Sequence, residues 1–246
     1  MKIATWNLER VAPETPQADR QREWLQQINA DIWVLTETDQ AISPGPAYRS
    51  IASAQPDRPA RQSERWVQIW VRQGTVRPIA TADPARTACA AVQWQNGQNY
   101  LIYGTVLPWL ESTWRTYDSR DAFAAALQLQ QADWQRLMDS HPQVPLVVAG
   151  DFNQDLSDLP YYGSRRNKQA LRRALAESQL DCLTDGDHDP VRRVTGGQHA
   201  NIDHICGSGG RGVKLLESFA WPPQLNALRG VSDHFGVGVT VELSGR

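Results

Sequence analysis

The chain has 246 residues, 41% of them hydrophobic and 21% charged. That is enough to bury one large core or at most two small ones, so a single domain over residues 1–246 is expected. With 25 basic and 27 acidic side chains the formal charge is -2, which excludes a global cationic field and leaves any polyanionic partner to a local patch or a bound cation.

The opening KIATWNLE alternates as a strand does. It reaches polar residues too soon for a signal peptide, and nothing downstream has the length and apolarity of a membrane span. Three cysteines, Cys89, Cys182 and Cys206, form an odd set without paired spacing. A disulfide framework is therefore not expected, and a cytoplasmic location fits best.

In DRQREWLQQINA, residues Trp24, Leu25 and Ile28 recur at helical spacing, and DIWVLTET follows as a buried-type strand. Strand, helix and strand in this order predict a parallel pair joined by a helical crossover. Residues 40–64 read as a long loop broken by the short strand YRSIAS. RWVQIWVRQG, ACAAVQWQNG and NYLIYGTVLP then form successive strands separated by turn residues, the pattern of antiparallel meanders. SRDAFAAALQLQQADWQRLMDSH is the longest helical pattern, and PLVVAGDFN is the buried strand behind it. A second helix, NKQALRRALAESQL, leads to the strands DCLTD, ANIDHICGS, VKLLESFAW and HFGVGVTVEL.

Five of these segments end in groups that bind protons or cations: Asn7 with Glu9, Glu37, Asp151 with Asn153, Asp203 with His204, and Asp233 with His234. Strand ends present side chains from a rigid scaffold to an open cleft, so the pattern predicts one convergent site. Carboxylates gathered there repel one another unless a cation or protonation relieves them. Oxygen donors with few histidines favour Mg²⁺ or Mn²⁺ over zinc.

TWNLE, LTET, GDFN, NIDHI and SDHFGV, in that order over nearly the whole chain, resemble the motif set of the endonuclease/exonuclease/phosphatase superfamily, which includes DNase I-like and exonuclease III-like nucleases. GDFN alone would be weak; five motifs in order are specific. The resemblance implies an α/β fold, a four-layer α/β sandwich with two mixed β-sheets packed face to face and helices outside. It also implies Mg²⁺- or Mn²⁺-dependent hydrolysis of a phosphoester by an activated water. By the same resemblance Glu37 is the principal metal ligand, with Glu9 and Asp233 as further acidic contacts, and Asn7 supports the metal and the scissile phosphate. Asp151 activates or orients the water, Asn153 holds phosphate oxygens, and His234 contacts the phosphoryl oxygen with Asp203 as its carboxylate partner.

One departure concerns the leaving-group side, where relatives commonly place a histidine or tyrosine and this chain has Thr105, Val106 and Leu107. Strand alternation puts Tyr103 on the face of Thr105 and Leu107, so that role has no assigned residue. After GDFN, the stretch YYGSRRNKQALRR offers Arg165, Arg166 and Lys168 for phosphates flanking the cleaved one. Trp109 and Trp114 are candidates for stacking on bases. His204 should face away from Asp203 by alternation, and His141, His188 and His199 lie in polar loops and should be solvated. The expected protein is a monomeric nuclease with DNA as the favoured nucleic acid. A phosphatase or phosphodiesterase for small phosphate esters or lipid headgroups is the alternative, and a non-catalytic domain of the same fold is a third.

Overall fold

The computed structural model describes residues 1–158 and 161–243. β1 (Lys2–Asn7), α1 (Pro16–Ile28) and β2 (Ile32–Asp39) form the expected crossover, and β1 pairs parallel with β2. β3 (Arg49–Ala52) and β4 (Glu64–Val71) follow, then β5 (Thr75–Ile79), β6 (Thr87–Gln93) and β7 (Asn99–Val106). After α2 (Ala122–Ser140) come β8 (Leu146–Asp151), α3 (Arg165–Glu177), β9 (Asp181–Cys182), α4 (Pro190–Val194), β10 (Asp203–Gly207), β11 (Val213–Trp221) and β12 (Gly236–Leu243).

The strands make two six-stranded mixed sheets, β11-β12-β1-β2-β4-β3 and β5-β6-β7-β8-β10-β9. Each has a single parallel pair at its centre, β1 with β2 and β7 with β8, the remaining pairs being antiparallel. The expected meander of three strands holds for β6 and β7, with β5 added at the edge, but β4 belongs to the other sheet, so the chain changes sheet between Val71 and Thr75. β5 is the strand that periodicity missed, and α4 the helix. β5 contains Pro78 and lies at a sheet edge, where a missing backbone donor is tolerated.

Alternation along each strand separates two interiors. Ile3, Val34, Ile69, Ile102, Val147, Ile205 and Val239 point between the sheets and form one cluster. Their neighbours point outward: Ala4, Trp6, Trp33 and Leu35 pack under α1 with Leu25, while Leu101, Tyr103, Leu146 and Val148 pack under α2 and α3 with Phe123, Trp134 and Leu171. Four layers result, with helices outside. α1 starts where Thr15 accepts a hydrogen bond from Ala18 N (3.2 Å) ahead of Pro16, and it stops at Asn29 in the left-handed region. Trp221 closes the outer face of the first sheet with edge contacts to Trp6 and Trp33, ring centroids 5.8 and 5.5 Å apart.

The sheets approach closely at Gly104, where a Cβ would lie 2.5 Å from Val67 Cγ1 and 3.0 Å from Val34 Cγ1. Both neighbours are β-branched and stiff at χ1, so they cannot turn aside. Gly104→Ala should therefore lower the unfolding free energy by about 1–3 kcal/mol. The check is equilibrium urea unfolding, and an unchanged midpoint would contradict the close packing of the two sheets at this point.

Candidate active site

On β1, Asn7 follows Ile3 and Thr5 on the inward-facing positions; on β8, Asp151 follows Val147 and Ala149; on β10, Asp203 precedes Ile205. The apolar space between the sheets thus ends in three polar side chains. Asp151 and Asp203 are direct partners in the antiparallel register of β8 and β10, an arrangement that sets like charges opposite one another. Asn7 reaches across from the first sheet, its Nδ2 donating to Asp151 Oδ2 at 3.0 Å.

Local backbone geometry explains the GDFN sequence. Gly150 has φ +141°, and a Cβ there would lie 2.0 Å from the Thr105 carbonyl oxygen, so only glycine fits before Asp151. Asn153 takes φ 51°. Its backbone N donates to Asp151 Oδ1 at 2.9 Å and its Nδ2 to the Leu107 carbonyl at 3.0 Å. Asp151 therefore has one oxygen held by each asparagine. Glu37 also adopts positive φ, 45°, an uncommon conformation for a glutamate in a strand and one that turns the end of β2 toward the cavity.

The segment carrying His234 is tied to the end of β1. Ser232 Oγ donates to the Asn7 carbonyl (2.7 Å), His234 N donates to Ser232 Oγ (3.1 Å), and Trp6 Nε1 donates to the His234 carbonyl (3.0 Å). These bonds aim the imidazole at the second sheet, where Nδ1 meets Asp203 Oδ2 at 2.6 Å. Asp203 is itself oriented by a bond from its backbone N to Asn201 Oδ1 (3.1 Å).

Electrostatics follow from this crowding. Burial and the neighbouring Asp203 charge lift Asp151 from 3.8 to about 8, against the opposing effect of His234. Burial alone would lower the His234 pKa; the Asp203 charge and hydrogen bond, helped by Asp151 and Asp233, outweigh it and raise the imidazole from 6.5 to about 10. Glu37 is raised by burial despite its ion pair with Arg10 (3.1 Å). These groups fit a hard divalent cation. Glu37, Glu9 and Asp233 bring three carboxylates to one cavity, whereas the donor atoms within 4.8 Å of one another belong to Asp151, Asp203 and His234, of which Asp203 and His234 already bond each other. Asp203 Oδ1 is buried with no hydrogen-bond partner among the described residues. An oxygen-dominated, mutually repelling donor set suits Mg²⁺ or Mn²⁺ chemistry.

A cavity of about 200 Å³ gathers Asn7, Glu9, Glu37, Asp151, Asn153, Asp233 and His234. Two further residues line it that motif reading did not single out, Arg10 and Tyr162. Trp109 itself forms part of the wall and belongs to a basic and aromatic cluster, with Arg86 5.6 Å from its ring centroid and Arg10, Arg58 and Arg86 at 5.8, 4.8 and 5.0 Å from Trp66. No sequence periodicity connects these positions, which meet only through folding.

Other expected groups lie elsewhere. Arg166 pairs with Asp121 (2.9 Å), and Lys168 is half-buried with its Nζ 2.9 Å from Asp155 Oδ1 and 2.8 Å from the Ser157 carbonyl. Arg165 is exposed and, with Lys168, lines a different cavity that shares no residue with the catalytic one. Trp114 is buried, its Nε1 donating to Asp83 at 3.1 Å. Tyr103 and Thr105 point to the outer layer, where they bond Asp133 (3.2 Å) and Gln130 (2.5 Å). His204 faces away from Asp203, as alternation requires, and its Nε2 bonds the Gln154 carbonyl at 2.9 Å. His199 departs from expectation: it is half-buried between Tyr161 and Phe235 rather than solvated. Loop polarity did not reveal that aromatic contact.

Comparison with known proteins agrees with this architecture. The sequence model of the Endonuclease/Exonuclease/phosphatase family matches residues 4–234. None of the curated proteins matches the chain. Among solved structures, an AP endonuclease from Archaeoglobus fulgidus is similar with a TM-score of 0.71 at 15% identity, over 98% of this chain and 99% of that one. A 3′-5′ exonuclease from Neisseria meningitidis is similar with a TM-score of 0.64 at 21% identity, covering 98% and 99% of the two chains. The human Nocturnin catalytic domain is similar with a TM-score of 0.65 at 15% identity, covering 99% and 94%.

The two raised pKa values give a signed stability profile. Both groups prefer the protonated form in the folded state. The His234 contribution is complete below about 6.5 and lost as pH rises through about 10, and that of Asp151 is complete below about 3.8 and lost as pH rises through about 8. Metal-free protein should therefore lose thermal stability between about pH 7 and pH 10, and added Mg²⁺ or Mn²⁺ should restore part of it at about pH 8. Asp203→Asn should move the His234 titration downward. Calorimetry across pH and NMR of the imidazole check both, and a flat profile in EDTA would contradict the assignment.

Proposed function

The chain belongs to the endonuclease/exonuclease/phosphatase family, and on that premise we propose that it is a divalent-cation-dependent hydrolase of phosphodiester bonds in nucleic acid, with DNA as the favoured substrate. The observation that carries this reading is the convergence, from both sheets, of the Asn7–Asp151 contact (3.0 Å) and the Asp203–His234 contact (2.6 Å) on one polar cavity.

Each residue has a task in this reading. Asp151 in its ionised form, which a bound cation would favour, takes the proton of the attacking water, and a carboxylate with a raised pKa is a stronger base than an ordinary one. Asn7 and Asn153 act as positioning residues, since their N–H groups hold the two Asp151 oxygens. His234 is kept cationic by Asp203 through Nδ1, which leaves Nε2 to donate to a phosphoryl oxygen as negative charge develops. Glu37, Glu9 and Asp233 would hold a divalent cation, which supplies charge neutralisation at the phosphate. Arg10, already paired with Glu37, adds a fixed positive charge at the same rim.

Support for a nucleic-acid substrate comes from Arg10 and the half-buried Trp109, which line the cavity together. Guanidinium groups and aromatic faces together suit a chain of phosphates and bases. A second reading, a phosphatase or phosphodiesterase for small esters, is favoured by the internal pairing of Arg166 and Lys168, which removes two of the cations expected along a nucleic-acid backbone.

Purified protein incubated with plasmid, linear DNA, RNA and a panel of phosphate esters, in Mg²⁺, Mn²⁺ or EDTA, separates these readings. Cleavage of DNA with divalent cation and none in EDTA is expected. Glu37→Gln should reduce turnover by roughly 100-fold or more while far-UV circular dichroism stays unchanged. Arg165→Glu should lower the salt slope of DNA binding by about one unit if this exposed arginine contacts a phosphate. Full turnover in EDTA would overturn the metal-dependent reading, and hydrolysis confined to small esters would replace the nucleic-acid reading with the second one.

A further inference from the structure

β10 carries different chemistry on its two faces. Asp203 points between the sheets, whereas His204 and Cys206 point to the outer layer. Directly opposite Cys206, on edge strand β9, stands Cys182. The next pair along, Leu183 and Ile205, is hydrogen-bonded through Leu183 N and the Ile205 carbonyl at 2.8 Å. Cys182 and Cys206 therefore form a non-hydrogen-bonded antiparallel pair, the kind whose Cα atoms lie about 4.5 Å apart and whose side chains are closest. That separation falls inside the span a disulfide bridges, roughly 4.4–6.8 Å.

Both cysteines are free thiols, and they are not equivalent. Cys206 is fully buried, while Cys182 is partly exposed on a strand with one open edge. Cys182 Sγ lies 3.5 Å from His204 Nδ1 and 3.9 Å from Thr184 Oγ1. We propose that Cys182 and Cys206 form a peroxide-sensitive dithiol site, with Cys182 as the attacking thiol and Cys206 as the resolving one. Burial raises both thiol pKa values, but the Cys206 hydrogen bond and the His204 imidazole reverse this for Cys182 and hold it well below the ordinary thiol range, whereas Cys206 stays well above it.

The chemistry balances with hydrogen peroxide as the oxidant. The Cys182 thiolate attacks one peroxide oxygen; the O–O bond breaks, an S–O bond forms, and the departing hydroxide takes up a proton as water, leaving a sulfenic acid. The Cys206 sulfur then attacks the Cys182 sulfur. An S–S bond forms, the S–O bond breaks, and the hydroxyl leaves with the Cys206 proton as a second water. Two thiols lose two protons and two electrons, and one peroxide becomes two waters. The third cysteine, Cys89, is a built-in control: it is buried on β6, and burial pushes its thiol up to about 12.

The test treats the full chain with graded hydrogen peroxide, followed by alkylation in denaturant and peptide mass spectrometry. The expected result is a peptide pair linked through Cys182 and Cys206, reverting with dithiothreitol, while Cys89 remains alkylatable. In Cys206→Ala, a sulfenic acid should accumulate on Cys182 and be trapped by dimedone. In Cys182→Ser, Cys206 should stay reduced. In native protein at neutral pH, His204→Gln should slow alkylation of Cys182 by about tenfold or more, since thiolate fraction sets the rate. Oxidation of Cys89 ahead of Cys182, dimedone trapping absent in Cys206→Ala, or no linked pair in folded wild-type protein would each overturn the proposal. The readout is thiol chemistry and does not depend on the hydrolytic activity.

Discussion

Two carboxylates facing each other across an antiparallel register organise this molecule's functional end. The pairing of β8 with β10 sets Asp151 opposite Asp203 at the point where the apolar interior between the sheets stops. Neither can turn away without breaking the ladder, and burial strengthens their repulsion. The surrounding groups can be understood as responses to that charge: the Asn7 carboxamide from the first sheet, the Asn153 backbone amide, and the His234 imidazole. Removing one partner would leave an uncompensated buried charge, so the cluster depends on both sheets being packed in their native relation.

The same register gives β10 a second role. Period-two alternation sends Asp203 to the face between the sheets and the next residue, His204, to the opposite side, where it contacts Phe152, Cys182 and the Gln154 carbonyl. His204 thus holds the segment just beyond Asn153 from behind. The thiol pair and the polar cavity occupy opposite faces of one strand, and their closeness is a consequence of strand geometry rather than of sequence spacing.

Charge outside the cavity is distributed unevenly despite the near-neutral chain. Arg10, Arg58 and Arg86 gather around Trp66 beside the polar cavity, each paired with a carboxylate, Glu37, Glu64 and Asp57 respectively. The basic residues after GDFN are largely used to fasten α3, with Lys168 on Asp155 and Arg166 on Asp121. Local sequence density of arginine and lysine was therefore a poor guide to where cationic groups meet the cavity. Packing of the two sheets, not local charge density, brings Arg10 to the cavity wall.

The chain's own pattern disclosed the order of strands and helices, β5 and α4 excepted, because alternating and helical periodicities report directly on which side chains are buried. It also marked Asn7, Glu37, Asp151, Asp203 and His234 as strand-end groups within an ordered motif set, and it required His204 to face away from Asp203. Only the tertiary structure decided which strand ends meet. The passage of the chain from one sheet to the other after β4, the edge strand containing Pro78, the contact of Asn7 with Asp151 across 144 positions, and the Arg10, Trp109 and Tyr162 wall of the cavity all depend on sheet order and packing. The Cys182–Cys206 juxtaposition is of the same kind. A local pattern specifies which face a side chain occupies, but its partner on that face comes from a distant segment, selected by the register and closure of the whole sandwich.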